Sequence, residues 1–127
     1  MRTSFVISLV LLVLTIGGGV WTQSRTGQMA ERYISAAEEL WVLAEKEEWA
    51  RADMTAEAYL QSWRDVTPWL QILINHEDID DVSLALERLL AAIAAKDQGS
   101  CYEACAELRE NAGHIFHRDA LTLGNVL

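Results

Sequence analysis

From Phe5 to Val20 the chain reads FVISLVLLVLTIGGGV, without a single charge. Such a run has few stable outcomes, and a helix in lipid is the simplest, because a helix satisfies its own backbone polar groups. Eleven of the sixteen residues are Phe, Val, Ile or Leu. Near a helix centre these favour insertion by roughly 3–7 kcal/mol together. As a helix, Phe5 to Trp21 measures about 26 Å, against a hydrocarbon core of about 30 Å. The flanks Thr3 and Thr22, or slight thinning of the bilayer, make up the difference. Trp21 stands where an interfacial aromatic is favoured. The expectation is an N-terminal anchor over residues 1–24 that crosses the cell membrane once. The alternative is a cleaved signal peptide, with Arg2 at its start and the small residues Gly17 and Gly19 near its end. Val20 and Trp21 prolong the apolar run past that point, which favours the anchor. Either reading puts the remainder outside the cytoplasm.

The remainder, residues 25–127, reads as one acidic helical domain. The formal charge is −9. Setting Arg2 aside leaves nine basic residues against nineteen acidic ones. This balance argues against nucleic acid, which calls for basic patches. It also argues against a flat association with anionic lipid, which calls for a polybasic run. With 51% apolar residues and five tryptophans, the chain has the means to fold rather than stay disordered. One proline and seven glycines leave long uninterrupted segments rich in good helix formers.

Those segments carry helical periodicity. Ala30, Tyr33, Ala37, Leu40 and Ala44 recur at steps of three and four, and Ile34 and Trp41 widen that stripe. This predicts a helix from about Gln28 to Glu47, one that can continue straight out of the anchor. A second helix is expected from Trp49 to Asn75, with Ala52, Ala56, Tyr59, Leu60, Trp63, Val66, Leu70, Leu73 and Ile74 facing the core. Pro68 interrupts it. The stripe continues across the proline, which favours a kink over a restart capped by Thr67. A third helix begins in the HEDIDD stretch, with Ile79, Val82, Leu86, Leu89 and Ile93 inward. Ser100 and Glu103 read as a capping box for a fourth helix, Cys101 to about Phe116. Its stripe is Cys101, Cys105, Leu108, Ala112 and Ile115. A ten-residue apolar tail is expected to pack across a seam. The fold class is therefore all-α: an N-terminal transmembrane helix followed by an antiparallel bundle of about four helices.

Several segments in order resemble one known family. They are the hydrophobic start with glycines near its end, EEWARA at Glu47–Ala52, Trp63 and Trp69, NHEDIDDV at Asn75–Val82, and LTLGNVL at Leu121–Leu127. The chain resembles the domain of unknown function 4363 family of Gram-positive, often spore-forming bacteria. The resemblance spans essentially the whole chain. It implies a short, anchored helical protein with no assigned activity.

Candidate sites are few. His76, Glu77, Asp80 and Asp81 form the densest polar cluster. On a helix His76 shares a face with Asp80, and Glu77 with Asp81, an arrangement able to offer carboxylates to a divalent cation. The competing reading is helix-end chemistry, with His76 closing one helix and the acids opening the next. The alternate ligand spacing and central glycine of a calcium loop are missing. Cys101 and Cys105 share a stripe with Leu108 and read as small core hydrophobes. A zinc site with His114 and His117 would need histidines on the cysteine face, and helical rotation turns them away. Trp41 and Trp69 lie at the margins of their stripes. With Leu121, Leu123, Val126 and Leu127 they are candidates for binding a partner.

No nucleophile–base pair and no cofactor motif stands out. The reading is a non-enzymatic accessory or protein-interaction module, bound to the membrane and to another membrane or envelope protein. The alternative is a divalent-metal-dependent binding or hydrolytic domain built on the HEDIDD cluster.

Overall fold

The computed structural model describes the backbone of residues 2–126, with side chains over 2–21 and 27–115. Four helices account for nearly all of it: α1 (Arg2–Glu45), α2 (Trp49–Leu73), α3 (His76–Ala94) and α4 (Gln98–Val126). The expected anchor helix and first bundle helix are one. No proline falls in the 44 residues of α1, so a rod about 66 Å long runs from the apolar segment into the bundle. The boundary expected at residue 24 thus lies inside a continuous helix. Residues Arg2–Trp21 form a helix long and apolar enough to cross a membrane, and none of it is buried against the bundle.

Each helix packs on its neighbour in sequence, and α4 closes the ring against α1. Cross-helix contacts fix the directions. Tyr33 meets Trp63 on α2, and Glu39 further up α1 meets the earlier Tyr59. Glu38 pairs with Arg109, Trp41 stacks on Tyr102, and Ala44 meets Gln98. Numbers rise on one helix as they fall on the other, so the neighbours are antiparallel. The bundle is the one the periodicity predicted.

The core divides its volume unequally. Helices α1 and α2 contribute alanines (Ala36, Ala37, Ala44, Ala52 and Ala56 are all buried), while α3 contributes Ile79, Val82, Leu86, Leu89 and Ile93. Small residues on one side let large ones interdigitate from the other, as dense packing requires. All five expected positions on α3 and all five on α4 are buried. Tyr33 is buried at 2% exposure and sits edge-on to Trp63, with ring centroids 5.1 Å apart. The Trp63 indole donates to Ser83 Oγ at 2.8 Å, which satisfies its one polar atom.

Four local expectations need correcting. Helix α2 continues through Pro68 but ends at Leu73, leaving that residue 42% exposed rather than in the core. Ile74 then turns extended (φ −125°, ψ 152°), which breaks the 3.6-residue period. His76 opens α3 instead of closing the helix before it, because Asn75 Oδ1 caps α3 by accepting from the Glu77 amide. Helix α4 starts at Gln98, three residues before the expected Cys101. Asp97 is the cap, accepting from the Ser100 amide at 3.2 Å and from its hydroxyl at 2.9 Å. Ser100 is thus a donor inside the first turn. Finally, α4 runs to Val126 instead of yielding to a tail after Phe116. Arg118, Ala120 and Leu121 are good helix formers and no proline intervenes. The side chains of Leu121, Leu123, Val126 and Leu127 lie outside the described residues.

Candidate functional site: the groove between α1 and α4

Antiparallel packing of α1 on α4 leaves an open groove of about 810 Å³. Ile34, Ala37, Trp41 and Val42 line it from α1; Cys105, Ala106, Arg109, Glu110, Gly113 and His114 line it from α4. The small residues Ala37, Ala106 and Gly113 make the groove possible. A Cβ added at Gly113 would meet nothing within 4 Å, so core packing does not demand glycine there. In a helix interior glycine costs about 1 kcal/mol relative to alanine. A side chain placed there would enter open space.

One end of the groove is closed by an aromatic pair. Trp41 stacks on Tyr102 at 4.4 Å, and its indole donates to Glu45 Oε1 at 2.6 Å. The ring is nonetheless 37% exposed, and the neighbouring Val42 is 44% exposed. Carboxylates of Glu38 and Glu110 flank the floor. Arg109 reaches Glu38 at 3.9 Å, with both side chains more than half exposed, so this pair contributes little to stability.

Cys105 lies in the floor. Both thiols are free and buried. Burial, and secondarily the neighbouring Cys101, pushes the Cys105 thiol up to about 12. Burial likewise raises Cys101. Since the thiolate is the reactive form, these are packing residues and not nucleophiles.

The HEDIDD residues are not gathered into a centre. His76, Glu77, Asp80 and Asp81 are exposed along the first turns of α3, and Asp78 is buried at 8% exposure. Acids on a first turn are favoured by the helix dipole. Among the described residues, no group of three or more His, Cys, Asp or Glu side chains is placed to hold a metal ion. Of the tryptophans singled out earlier, Trp41 lines the groove and Trp69 lies at the opposite end of the bundle, against Trp21. Sequence reasoning missed Val42, Ala106, Gly113 and His114 as groove residues. An apolar residue off the stripe (Val42) and a glycine inside a helical run (Gly113) were the available signals.

Fold and surface define an all-helical bundle that continues directly from an apolar N-terminal helix, with an open groove between α1 and α4. The family model described as "Domain of unknown function (DUF4363)" matches residues 20–126, and the chain belongs to that family. No curated protein and no solved structure matches it.

Proposed function

We propose that this is a non-enzymatic accessory protein of the cell membrane, anchored once by α1 with its bundle on the extracytoplasmic side. The bundle binds another membrane or envelope protein through the α1/α4 groove. The observation that carries this reading is the groove itself: an apolar floor flanked by Glu38, Glu110 and Arg109, with open space over Gly113. Its form suits an amphipathic helix laid in lengthwise, with basic residues beside the apolar stripe set against Glu38 and Glu110 and an acidic one against Arg109.

Continuity of α1 sets the height of the contact. From Trp21, Ile34 is about 20 Å and Val42 about 32 Å along the helix. The partner is therefore met by a part of it that stands clear of the bilayer.

The test is recovery of partners from mild-detergent membranes by the intact chain, by the same bundle on an unrelated anchor, and by Gly113→Phe. The reading expects one membrane or envelope protein with both anchors and its loss with Gly113→Phe, whose melting should stay close to that of the parent. If Gly113→Phe recovers that protein undiminished, the groove is not the site. Recovery by the native anchor alone would move recognition into the bilayer.

A further inference from the structure

We infer that the α2–α3 corner is a second membrane contact, resting in the headgroup region of the bilayer that holds α1. This rests on the reading of Arg2–Trp21 as a membrane span, and it adds a seat for the bundle to the tether already described.

The corner is built unlike the rest of the bundle surface. From Val66 to Asn75 the chain reads VTPWLQILIN, ten residues without a charge. It is the longest such run after the anchor. Within it Ile72 is 81% exposed and Leu73 is 42% exposed. A single exposed apolar side chain needs no explanation. These two, however, lie one turn beyond a residue that meets the end of the apolar helix. Trp69 meets Trp21, the last residue of the span, edge to face with ring centroids 6.2 Å apart. Helix α2 is antiparallel to α1, so beyond Trp69 it advances in the direction in which α1 enters the membrane. The two further turn positions, Ile72 and Leu73, lie about 5 Å past Trp69 along that axis. Two indoles side by side at this level are what the membrane interface favours.

Two side chains of the corner already commit an oxygen to bonds within the bundle, which lowers the penalty for bringing them to the interface. Thr67 donates its hydroxyl to the Trp63 carbonyl at 2.6 Å, and the Asn75 amide oxygen accepts from the Glu77 amide. Charge limits the depth. Glu77, Asp80 and Asp81 are exposed just beyond the corner, so the contact stays at the headgroups and suits zwitterionic lipid better than anionic lipid.

The experiment uses the full chain in phosphatidylcholine vesicles, with a nitroxide on one introduced cysteine at a time. Cys101 and Cys105 are buried, and the unsubstituted chain reports any background labelling. The variants are Ile72→Cys, Met54→Cys (a residue 74% exposed on the other half of α2) and Leu11→Cys within the span. Collision with oxygen reports lipid, and collision with a water-soluble nickel chelate reports water. The expected result is oxygen-dominated collision at Leu11, a shift in the same direction at Ile72, and nickel-dominated collision at Met54. If Leu11 is lipid-exposed and Ile72 matches Met54, the corner stands in water and the inference is wrong while the anchor stands. If Leu11 also collides mainly with nickel, the anchor itself is wrong, and the corner contact falls with it.

Discussion

The two ends of the bundle solve the same problem with different chemistry. At the end away from the apolar helix, α1 and α3 each close on a left-handed residue, Glu47 (φ 56°) and Lys96 (φ 55°). In both turns the last carbonyls are satisfied in the same way. Glu47 and Glu48 donate to Ala44 and Leu43, and Lys96 and Asp97 donate to Ile93 and Ala92. This is the paired bonding of a Schellman turn. The residues are charged, and Gln98 adds a bond of 3.0 Å from its side chain to the Ala44 carbonyl. At the other end, the α2–α3 corner carries no charge from Val66 to Asn75 and is capped by a neutral asparagine. One end is charged in its turns; the other holds its charge back until the first turn of α3.

The comparison supposes that the ends differ outside and match inside. Leu40 and Leu70, one toward each end, are both 1% exposed. Leu40→Ala and Leu70→Ala should each cost about 2–5 kcal/mol, read by denaturant unfolding of the detergent-solubilised chain. A cost for Leu70→Ala well below that of Leu40→Ala would mean that the corner is loosely packed as well as uncharged. The caps come next. Asn75→Ala should destabilise by roughly 0.5–2 kcal/mol, with faster amide exchange at Glu77 as its local sign. An unchanged Glu77 amide would show that the 3.2 Å bond does not hold the corner. Smaller still is the gain from relieving the left-handed residues. A non-glycine residue pays about 1–2 kcal/mol in that conformation, and glycine returns part of it as chain entropy. Lys96→Gly and Glu47→Gly should therefore each stabilise by less than about 1 kcal/mol. Destabilisation by both would mean that their side chains hold these turns in a way their backbone geometry does not reveal.

How much of this was legible depended on whether period or geometry decided it. Helix α3 was fully readable because Ile79, Val82, Leu86, Leu89 and Ile93 keep one face over about four turns. The corner was not. Leu73 continues the α2 stripe in sequence, yet the helix stops there and the residue turns outward. In the sequence Ser100 and Glu103 mark the start of α4, and Asp97 reads as loop. Backbone geometry makes Asp97 the cap, since the left-handed Lys96 places it as the turn's exit. The groove lay further from view. Gly113 and Val42 mark it, but only the spacing of α1 and α4 turns an off-stripe valine and a mid-helix glycine into two walls of one cavity. The helical content of residues 117–126 was hidden too, because their apolar residues do not declare a face.

The smallest expected effect is also the sharpest test of the difference between the ends, because it acts on one of them alone. Hydrogen bonds from the Ser100 hydroxyl and then the Ser100 amide hold the Asp97 carboxyl below its ordinary value of 3.8. A depressed carboxylate contributes stability above the unfolded pKa and loses it as pH falls through the folded one. The start of α4 should thus be insensitive to pH near neutrality and weaken only below about pH 3.8. Asparagine does not titrate, so the bond that Asn75 accepts from the Glu77 amide keeps its acceptor over the same range. Amide exchange at Ser100 and Glu77, followed down in pH and corrected for intrinsic rates, reads both caps in one sample. Protection should fall further at Ser100 than at Glu77, and Asp97→Asn should abolish the excess. Parallel loss at both amides, persisting in Asp97→Asn, would mean that acid opens the bundle globally and that the charged end has no titration of its own.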